Sequence, residues 1–259
     1  MSAPEVVVHP NAELLAAAVA ARVVTTLVDA QSARGSGSVV LTGGGTGIAV
    51  LEQLRSSPAR DAVDWARVDV YFGDERFLPS GDPERNETQA RAALLDHVPL
   101  DPARVFAMPA SGGPDGADPE AGAATYARTL ARQSRPEDHA PVPRFDVLLL
   151  GMGEEGHVAS VFPDSPAVHE TERSVVAVHG CPKPPPTRIS LTLTAIGQAS
   201  QVWLCVAGAG KAGAVHLALS GAGEVAVPAA GARGLRRTLW MLDRGAASQL
   251  PRELLPPLH

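Results

Sequence analysis

From Val147 to Ser160 the chain reads VLLLGMGEEGHVAS, an apolar run that passes directly into glycines and one histidine. Four consecutive apolar residues are typical of a strand that is buried on both faces. The glycines allow sharp turns after the strand, and His157 places a titratable ring among them. Open α/β sheets bind ligands at the carboxyl ends of their strands, so this stretch predicts both the fold and the location of its chemistry.

Two earlier strand ends have the same character. The apolar run at 39–41 leads into TGGGTG at 42–47, and the run at 68–72 leads into GDER at 73–76. Further apolar runs predict strands, and segments with helical apolar spacing separate many of them. The predicted strands are 39–41, 68–72, 147–150, 175–178, 189–193, 202–206 and 239–242, and the predicted helices are 11–29, 48–54, 87–95, 121–132 and 212–219.

This alternation predicts an α/β fold with a mainly parallel, Rossmann-like sheet and helices on both faces. Proline and glycine cluster at 110–119, 136–143 and 181–186, but each cluster joins elements of the same alternating pattern. We therefore interpret these clusters as surface loops and expect residues 1–259 to form a single domain.

The composition excludes several classes of function. The chain has 259 residues, 45% hydrophobic and 19% charged, with a net charge of -6 and no run of lysine or arginine, so we expect no nucleic-acid partner.

Two cysteines are too few for a disulfide framework. The first residues lack a signal-peptide pattern, and no apolar stretch approaches the ~20 residues of a membrane span. We expect a cytoplasmic protein with no membrane partner.

The glycine turn Gly43-Gly44-Gly45-Thr46 is a candidate phosphate-binding site. Glycine lets the backbone approach a ligand closely, and a helix beginning near Thr46 would present free amides to an anion. The alternative is a tight turn that binds nothing. Ile48 replaces the last glycine of G-x-G-x-x-G, and no Lys-Ser/Thr pair follows, so the turn favours neither dinucleotides nor nucleoside triphosphates.

Charged residues near the predicted strand ends could complete such a site. Lys211 opens a helix after a strand, and Arg188 follows three prolines, so both are candidate phosphate ligands or else solvated surface charges. Asp74, Glu75 and Arg76 could bind sugar hydroxyls and anionic groups, or form an ordinary hydrophilic turn. Asn86 is a further candidate; it could instead cap the helix that follows it.

His157 could be a core histidine, a metal ligand or an acid/base catalyst. The next histidine is His169, and no His-x-x-x-His or Cys-x-x-Cys spacing occurs, so we expect no metal site. A neutral imidazole at a strand end can take a proton from water and return it later. Glu155 could orient the ring or simply be solvated.

Four motifs in this order resemble the glucosamine-6-phosphate isomerase/6-phosphogluconolactonase family, on the lactonase side. They are TGGGT at 42–46, FGDER at 72–76, GMGEEGHVASVFP at 151–163 and RIS at 188–190. The resemblance implies the fold of glucosamine-6-phosphate deaminase and ribose-5-phosphate isomerase. It also implies hydrolysis of 6-phosphogluconolactone in the pentose phosphate pathway, with no cofactor. Our hypothesis for this reaction is that His157 activates water and that Arg76 is the candidate donor to the oxyanion.

Two departures from the family patterns bear on this expectation. Phe162 occupies the position of a catalytic glutamate in the deaminases, which favours lactone hydrolysis over ring opening and isomerisation. Glu155 stands where lactonases more often have aspartate, so its contact with His157 is not fixed by the pattern. The alternatives are a sugar-phosphate isomerase or deaminase and a non-catalytic sugar-phosphate sensor; we expect a monomer or small homo-oligomer.

Overall fold

The computed structural model describes residues 3–255, and its strands and helices alternate along most of the chain. The strands are β1 (Glu5–His9), β2 (Gly37–Leu41), β3 (Val68–Phe72), β4 (Asp74–Arg76), β5 (Val105–Phe106), β6 (Val147–Leu150), β7 (Val175–Val178), β8 (Arg188–Leu191), β9 (Gln201–Val206) and β10 (Arg237–Asp243). The helices are α1 (Ala12–Arg34), α2 (Gly44–Ser56), α3 (Asn86–Ala93), α4 (Pro119–Gln133), α5 (Leu193–Ile196) and α6 (Ala212–Leu219).

A seven-stranded sheet in the order β1-β10-β9-β6-β2-β3-β5 forms the centre of the fold, and its described pairings are all parallel. The chain proceeds from β2 outward to β3 and β5, then crosses back to β6 on the other side of β2. The strand order therefore reverses between β2 and β6. A crevice opens at such a reversal, outside the carboxyl ends of the two strands.

Burial of the central strands explains why they are continuous apolar runs. All four residues of β6 are buried, although successive side chains point to opposite faces of the sheet. Both faces of this strand are therefore covered, as the sequence predicts. On one flank α1 packs against α2 and against β2 and β10. The Asn11 side chain caps α1 by accepting from the Leu14 amide at 2.9 Å.

The predicted strands at 175–178 and 189–193 do not join the parallel sheet. They form β7 and β8 of a separate antiparallel sheet in the order β4-β8-β7. Its edge strand β4 is the charged segment Asp74–Arg76, for which the sequence left open a ligand-binding strand end or a hydrophilic turn. Because β4 pairs with β8, Arg76 lies opposite Arg188, and the small sheet faces the crevice.

Several helix bounds also differ from the prediction. Helix α2 begins at Gly44 rather than near Thr46, and α1 continues to Arg34 rather than ending near residue 29. Strand β1 was not predicted. Within residues 3–255, no helix combines the length and the apolar character needed to span a membrane.

Candidate active site

A cavity of about 490 Å³ opens where the strand order reverses, at the carboxyl edge of the sheet. All predicted site residues except Glu75 and Glu155 line it. The lining residues are Thr42, Gly43, Gly44, Gly45, Thr46, Asp74, Arg76, Asn86, Gly151, Met152, Gly153, Glu154, His157, Ala159, Lys183, Pro184, Arg188 and Lys211. A hydrogen bond from the Gly151 amide to Thr42 Oγ1, 3.2 Å long, joins the loops that follow β6 and β2.

The glycine turn forms the first turn of α2, and its three glycines have different roles. A Cβ on Gly43 would lie 2.0 Å from Asn86 Oδ1, so this glycine is required by the close approach of Asn86. Gly44 has φ +78°, and a Cβ on Gly44 or Gly45 would meet no atom of residues 3–255 within 4 Å apart from its chain neighbours and the nearby backbone of α2. No side chain among the described residues caps α2, so its first amides are open to the cavity. The turn can therefore accept an anion.

Asp74 is the centre of a buried polar cluster beside the glycine turn. Its Oδ2 accepts from Ser160 Oγ at 2.7 Å, and its Oδ1 accepts from Asn86 Nδ2 at 3.2 Å. Arg188 Nη1 lies 4.0 Å from the same carboxylate. Three protein partners thus share the acceptor oxygens of Asp74. The carboxylate fixes Asn86 and Arg188 in place at the cavity wall.

Glu75 differs from its predicted role as a substrate ligand. Its side chain is 1% exposed, and it accepts from the backbone amides of Asn86 at 2.6 Å and Glu87 at 2.9 Å. Glu75 therefore satisfies the first amides of α3, and Asn86 is the first residue of this helix rather than its cap. Burial raises the pKa of Glu75 to about 7, although Arg85 and the two amides oppose this shift.

Arg188 lines the cavity but uses most of its nitrogens to hold a loop. Its Nη2 donates to the carbonyls of Lys183 at 3.1 Å and Pro184 at 3.3 Å, and its Nε donates to the carbonyl of Pro185 at 3.3 Å. The predicted guanidinium is thus present at the cavity wall. Its geometry fixes the proline-rich segment in place, leaving little of the group free for a ligand.

His157 faces the cavity from the loop after β6. Its Nδ1 lies 3.0 Å from Glu155 Oε1, and its ring centroid lies 4.4 Å from that of Phe162. A Cβ on Gly153 would be 2.1 Å from Nδ1, so only glycine at this position leaves room for the ring. When Nδ1 carries the proton and donates it to Glu155, Nε2 is left as an acceptor.

Burial and charge together set the protonation of this pair. Burial is the largest influence on His157 and lowers its pKa, while attraction to Glu155 partly opposes it. Burial also acts to raise the pKa of Glu155, but a hydrogen bond from its own backbone and the contacts with His157 and Lys183 bring the net pKa below its usual value. The stable arrangement near neutral pH is a carboxylate beside a neutral imidazole.

Two of the remaining cations face the cavity from different elements. Arg76 belongs to β4, where its Nη1 donates to the carbonyl of Glu84. Lys211 ends the short turn before α6, and its pKa is lowered, mainly by burial and then by the nearby charge of Lys183. The cavity therefore joins a cationic, amide-rich wall to an imidazole on the loop after β6.

Sequence reasoning missed Lys183, which the segment 181–186 carries into the cavity. Its Nζ lies 3.3 Å from Glu155 Oε2. A lysine followed by three prolines was a usable signal, because proline restricts the backbone and can hold a cation in a defined place. We interpreted the segment only as a surface loop.

Comparison with known proteins assigns the chain to a family. The family model described as glucosamine-6-phosphate isomerases/6-phosphogluconolactonase matches residues 10–240. The chain belongs to this family. A 6-phosphogluconolactonase of Streptomyces coelicolor is 65% identical to it over 98% of this chain and 97% of the relative.

Solved structures of the same kind confirm the predicted fold class. The 6-phosphogluconolactonase from Trypanosoma brucei is 27% identical, with a TM-score of 0.80 over 96% of this chain and 99% of that one. A monomeric glucosamine-6-phosphate deaminase shares the fold at 21% identity, with a TM-score of 0.76 over 94% of this chain and 99% of that one.

The His157 ring also packs against an aromatic side chain. Phe162, at the position where the sequence resemblance places the deaminase glutamate, is 4% exposed and packs against His157. Its ring holds the imidazole by contact and cannot transfer a proton. In this chain Glu155 is the carboxylate that contacts the ring.

Proposed function

We propose that this chain hydrolyses 6-phospho-D-glucono-1,5-lactone to 6-phospho-D-gluconate, a step of the oxidative pentose phosphate pathway. One observation carries the proposal: an imidazole with a lowered pKa shares a cavity with the uncapped start of α2 in a member of the lactonase family. The first group can activate water, and the second can bind the phosphate of the substrate.

The phosphate group binds at the amides of Gly44, Gly45 and Thr46. The open space beside Gly44 and Gly45 supports this assignment, because a phosphate oxygen would fill it without displacing protein atoms. Lys211 adds a cation at the same wall. Arg188 contributes charge to the wall while it holds the loop at 183–185.

The lactone carbonyl then lies toward His157. Nε2 takes a proton from a water molecule as the water oxygen attacks the carbonyl carbon. Negative charge grows on the former carbonyl oxygen, and the guanidinium of Arg76 stabilises it. The carbon–oxygen bond to the ring oxygen breaks, and His157 returns its proton to that oxygen. Glu155 keeps Nδ1 protonated throughout, so that Nε2 acts as the base.

Acid release from freshly prepared 6-phosphogluconolactone tests the proposal. We expect turnover well above the spontaneous rate, and a lower kcat/KM for glucono-1,5-lactone, which lacks the phosphate. Ammonia release from glucosamine 6-phosphate would instead indicate a deaminase. Thermal stabilisation by 6-phosphogluconate without turnover would indicate a sensor. Either of these results, without lactone hydrolysis, contradicts the proposed function.

A further inference from the structure

The carboxylate of Glu155 is shared between two groups on different parts of the chain. Its Oε1 contacts His157 Nδ1 at 3.0 Å, and its Oε2 contacts Lys183 Nζ at 3.3 Å. Glu155 and His157 follow β6, whereas Lys183 lies between β7 and β8. Lys183, Glu155 and His157 thus form a continuous chain of contacts, which we call the lysine relay.

The backbone of Lys183 is held firmly from inside the protein. Arg188 is 7% exposed and donates to the carbonyls of Lys183, Pro184 and Pro185, while its Nη1 faces Asp74. Proline at 184 and 185 further restricts the backbone beside the lysine. The buried arginine therefore positions the loop that brings the Lys183 ammonium to Glu155.

We propose that Lys183 is a positioning residue that acts through Glu155. By binding the outer oxygen of the carboxylate, the ammonium turns the inner oxygen toward His157 and keeps the imidazole in the neutral form that can accept a proton. This inference rests on the proposed role of His157 as the base.

The charges around His157 explain why a cation is required there. Glu155 and Asp74 face the ring and favour its protonated form, whereas burial and the charge of Lys183 favour the neutral form. Arg188 lies 4.0 Å from Asp74, so without Lys183 it is the Glu155 carboxylate that acts on the ring with no cation at its outer oxygen. The imidazole then takes a proton more readily from solvent, and a protonated ring cannot act as a base.

A role confined to phosphate binding gives a different expectation. Lys183 lines the cavity, and its charge is one of the causes, after burial, of the lowered pKa of Lys211, so the two ammonium groups lie near each other. A simple phosphate ligand would change KM for the phosphorylated lactone alone. The relay changes the protonation of His157, whichever lactone is bound.

The test is an NMR titration of the His157 ring in Lys183→Met, with Lys183→Arg as the conservative variant. We expect the titration midpoint of Lys183→Met to rise by about half a pH unit, and that of Lys183→Arg to remain near the parent value. The acid limb of kcat/KM should move in the same direction with both lactones. The Lys183 side chain is 49% exposed, so we expect both variants to fold.

Lys211→Met is the matched control. It removes a cation of the same cavity that forms no ion pair with Glu155 within the described residues, so we expect a higher KM for the phosphorylated lactone and a smaller shift of the His157 midpoint. An unchanged or lowered midpoint in Lys183→Met overturns the relay, as does a KM effect confined to the phosphorylated lactone. Because the ring is titrated without turnover, this failure is distinct from an absence of lactonase activity.

Discussion

Two cavities lie at opposite edges of the seven-stranded sheet, and both contain several cations. The cavity at the amino edge is larger, about 600 Å³ against about 490 Å³. Three of its arginines are paired with carboxylates: Arg34 with Asp146, Arg104 with Asp69, and Arg144 with Asp138. At the carboxyl edge, Lys183 and Arg188 also face carboxylates, whereas Arg76 and Lys211 form no ion pair with a carboxylate in the part of the chain that the structure describes. The number of cations alone therefore does not identify an anion site.

The direction of the helices also distinguishes the cavity at the amino edge from the cavity at the carboxyl edge. Helix α2 begins at the carboxyl edge and presents amides there, whereas α1 ends at the amino edge with Arg34 in its last turn. Helix starts attract anions and helix ends attract cations. The arginine at the amino edge therefore stabilises the fold, and the lysine and amides at the carboxyl edge remain open to a ligand.

The largest expected effect is the loss of the base at the carboxyl edge. His157→Gln should lower kcat by about 10²- to 10⁴-fold with little change in KM, because it removes proton transfer and keeps a polar side chain of similar size. His169→Gln is the control, since His169 is an exposed histidine outside the cavity. Steady-state kinetics give kcat and KM of both variants. Unchanged turnover in His157→Gln would show that this residue is not the base.

The second-largest effect is expected from removing a cation of the carboxyl-edge cavity, compared with removing one of the amino-edge cavity. Lys211→Met should raise KM for 6-phosphogluconolactone by about 10- to 100-fold, the value of a charge-assisted contact to phosphate. Arg135→Met, in the cavity at the amino edge, should leave KM unchanged. If both variants raised KM equally, the distinction between the two cavities would fail.

A smaller effect is expected from filling the space beside the glycine turn. Gly45→Ala adds a methyl group that would meet no atom of residues 3–255 within 4 Å apart from its chain neighbours and the backbone of α2. The fold should therefore tolerate it, while KM for the phosphorylated lactone rises by about tenfold. Gly223→Ala has the same open surroundings outside the cavity and should leave KM unchanged. Glucono-1,5-lactone should respond weakly to both, and an equal response to both lactones would argue against phosphate at this turn.

The smallest effect is the position of the acid limb in the unmodified protein. Burial, opposed in part by Glu155, lowers the pKa of His157 below 6.5, so the ring stays neutral to a more acidic pH than an ordinary histidine. Activity should therefore fall only as pH drops through this lowered pKa. The pH profile of kcat/KM, corrected for spontaneous hydrolysis, measures it, and an acid limb above 6.5 would contradict this reasoning.

Much of the fold followed from apolar runs in the sequence. The bounds of β3, β6, β7 and α6 coincide with the prediction, because strands and helices with nearly continuous apolar character are buried whatever their partners. Strand β1 was missed, although its apolar run at 6–8 is as long as the predicted run at 39–41. It is a strand because it pairs with β10, more than 200 residues away.

The sequence predicted the site residues that directly follow strands. It did not predict those whose position depends on contacts with distant parts of the chain. The glycine turn and His157 follow directly from strands, so their meeting in one cavity could be expected. Glu75 was misread because nothing in its neighbourhood shows that α3 begins against it. Lys183 was missed because its place depends on Arg188 and on the separation of β7 and β8 from the parallel sheet.

Titration with 6-phosphogluconate, followed by NMR of the backbone amides and of the His157 ring, reports on both cavities in one experiment. If the phosphate binds at the carboxyl edge, we expect saturable shifts of the Gly44, Gly45 and Thr46 amides and of the His157 ring. We expect none at Ser38 or Arg104, which line the cavity at the amino edge. Saturable shifts at the amino edge, with the glycine turn unaffected, would contradict phosphate binding at the carboxyl edge.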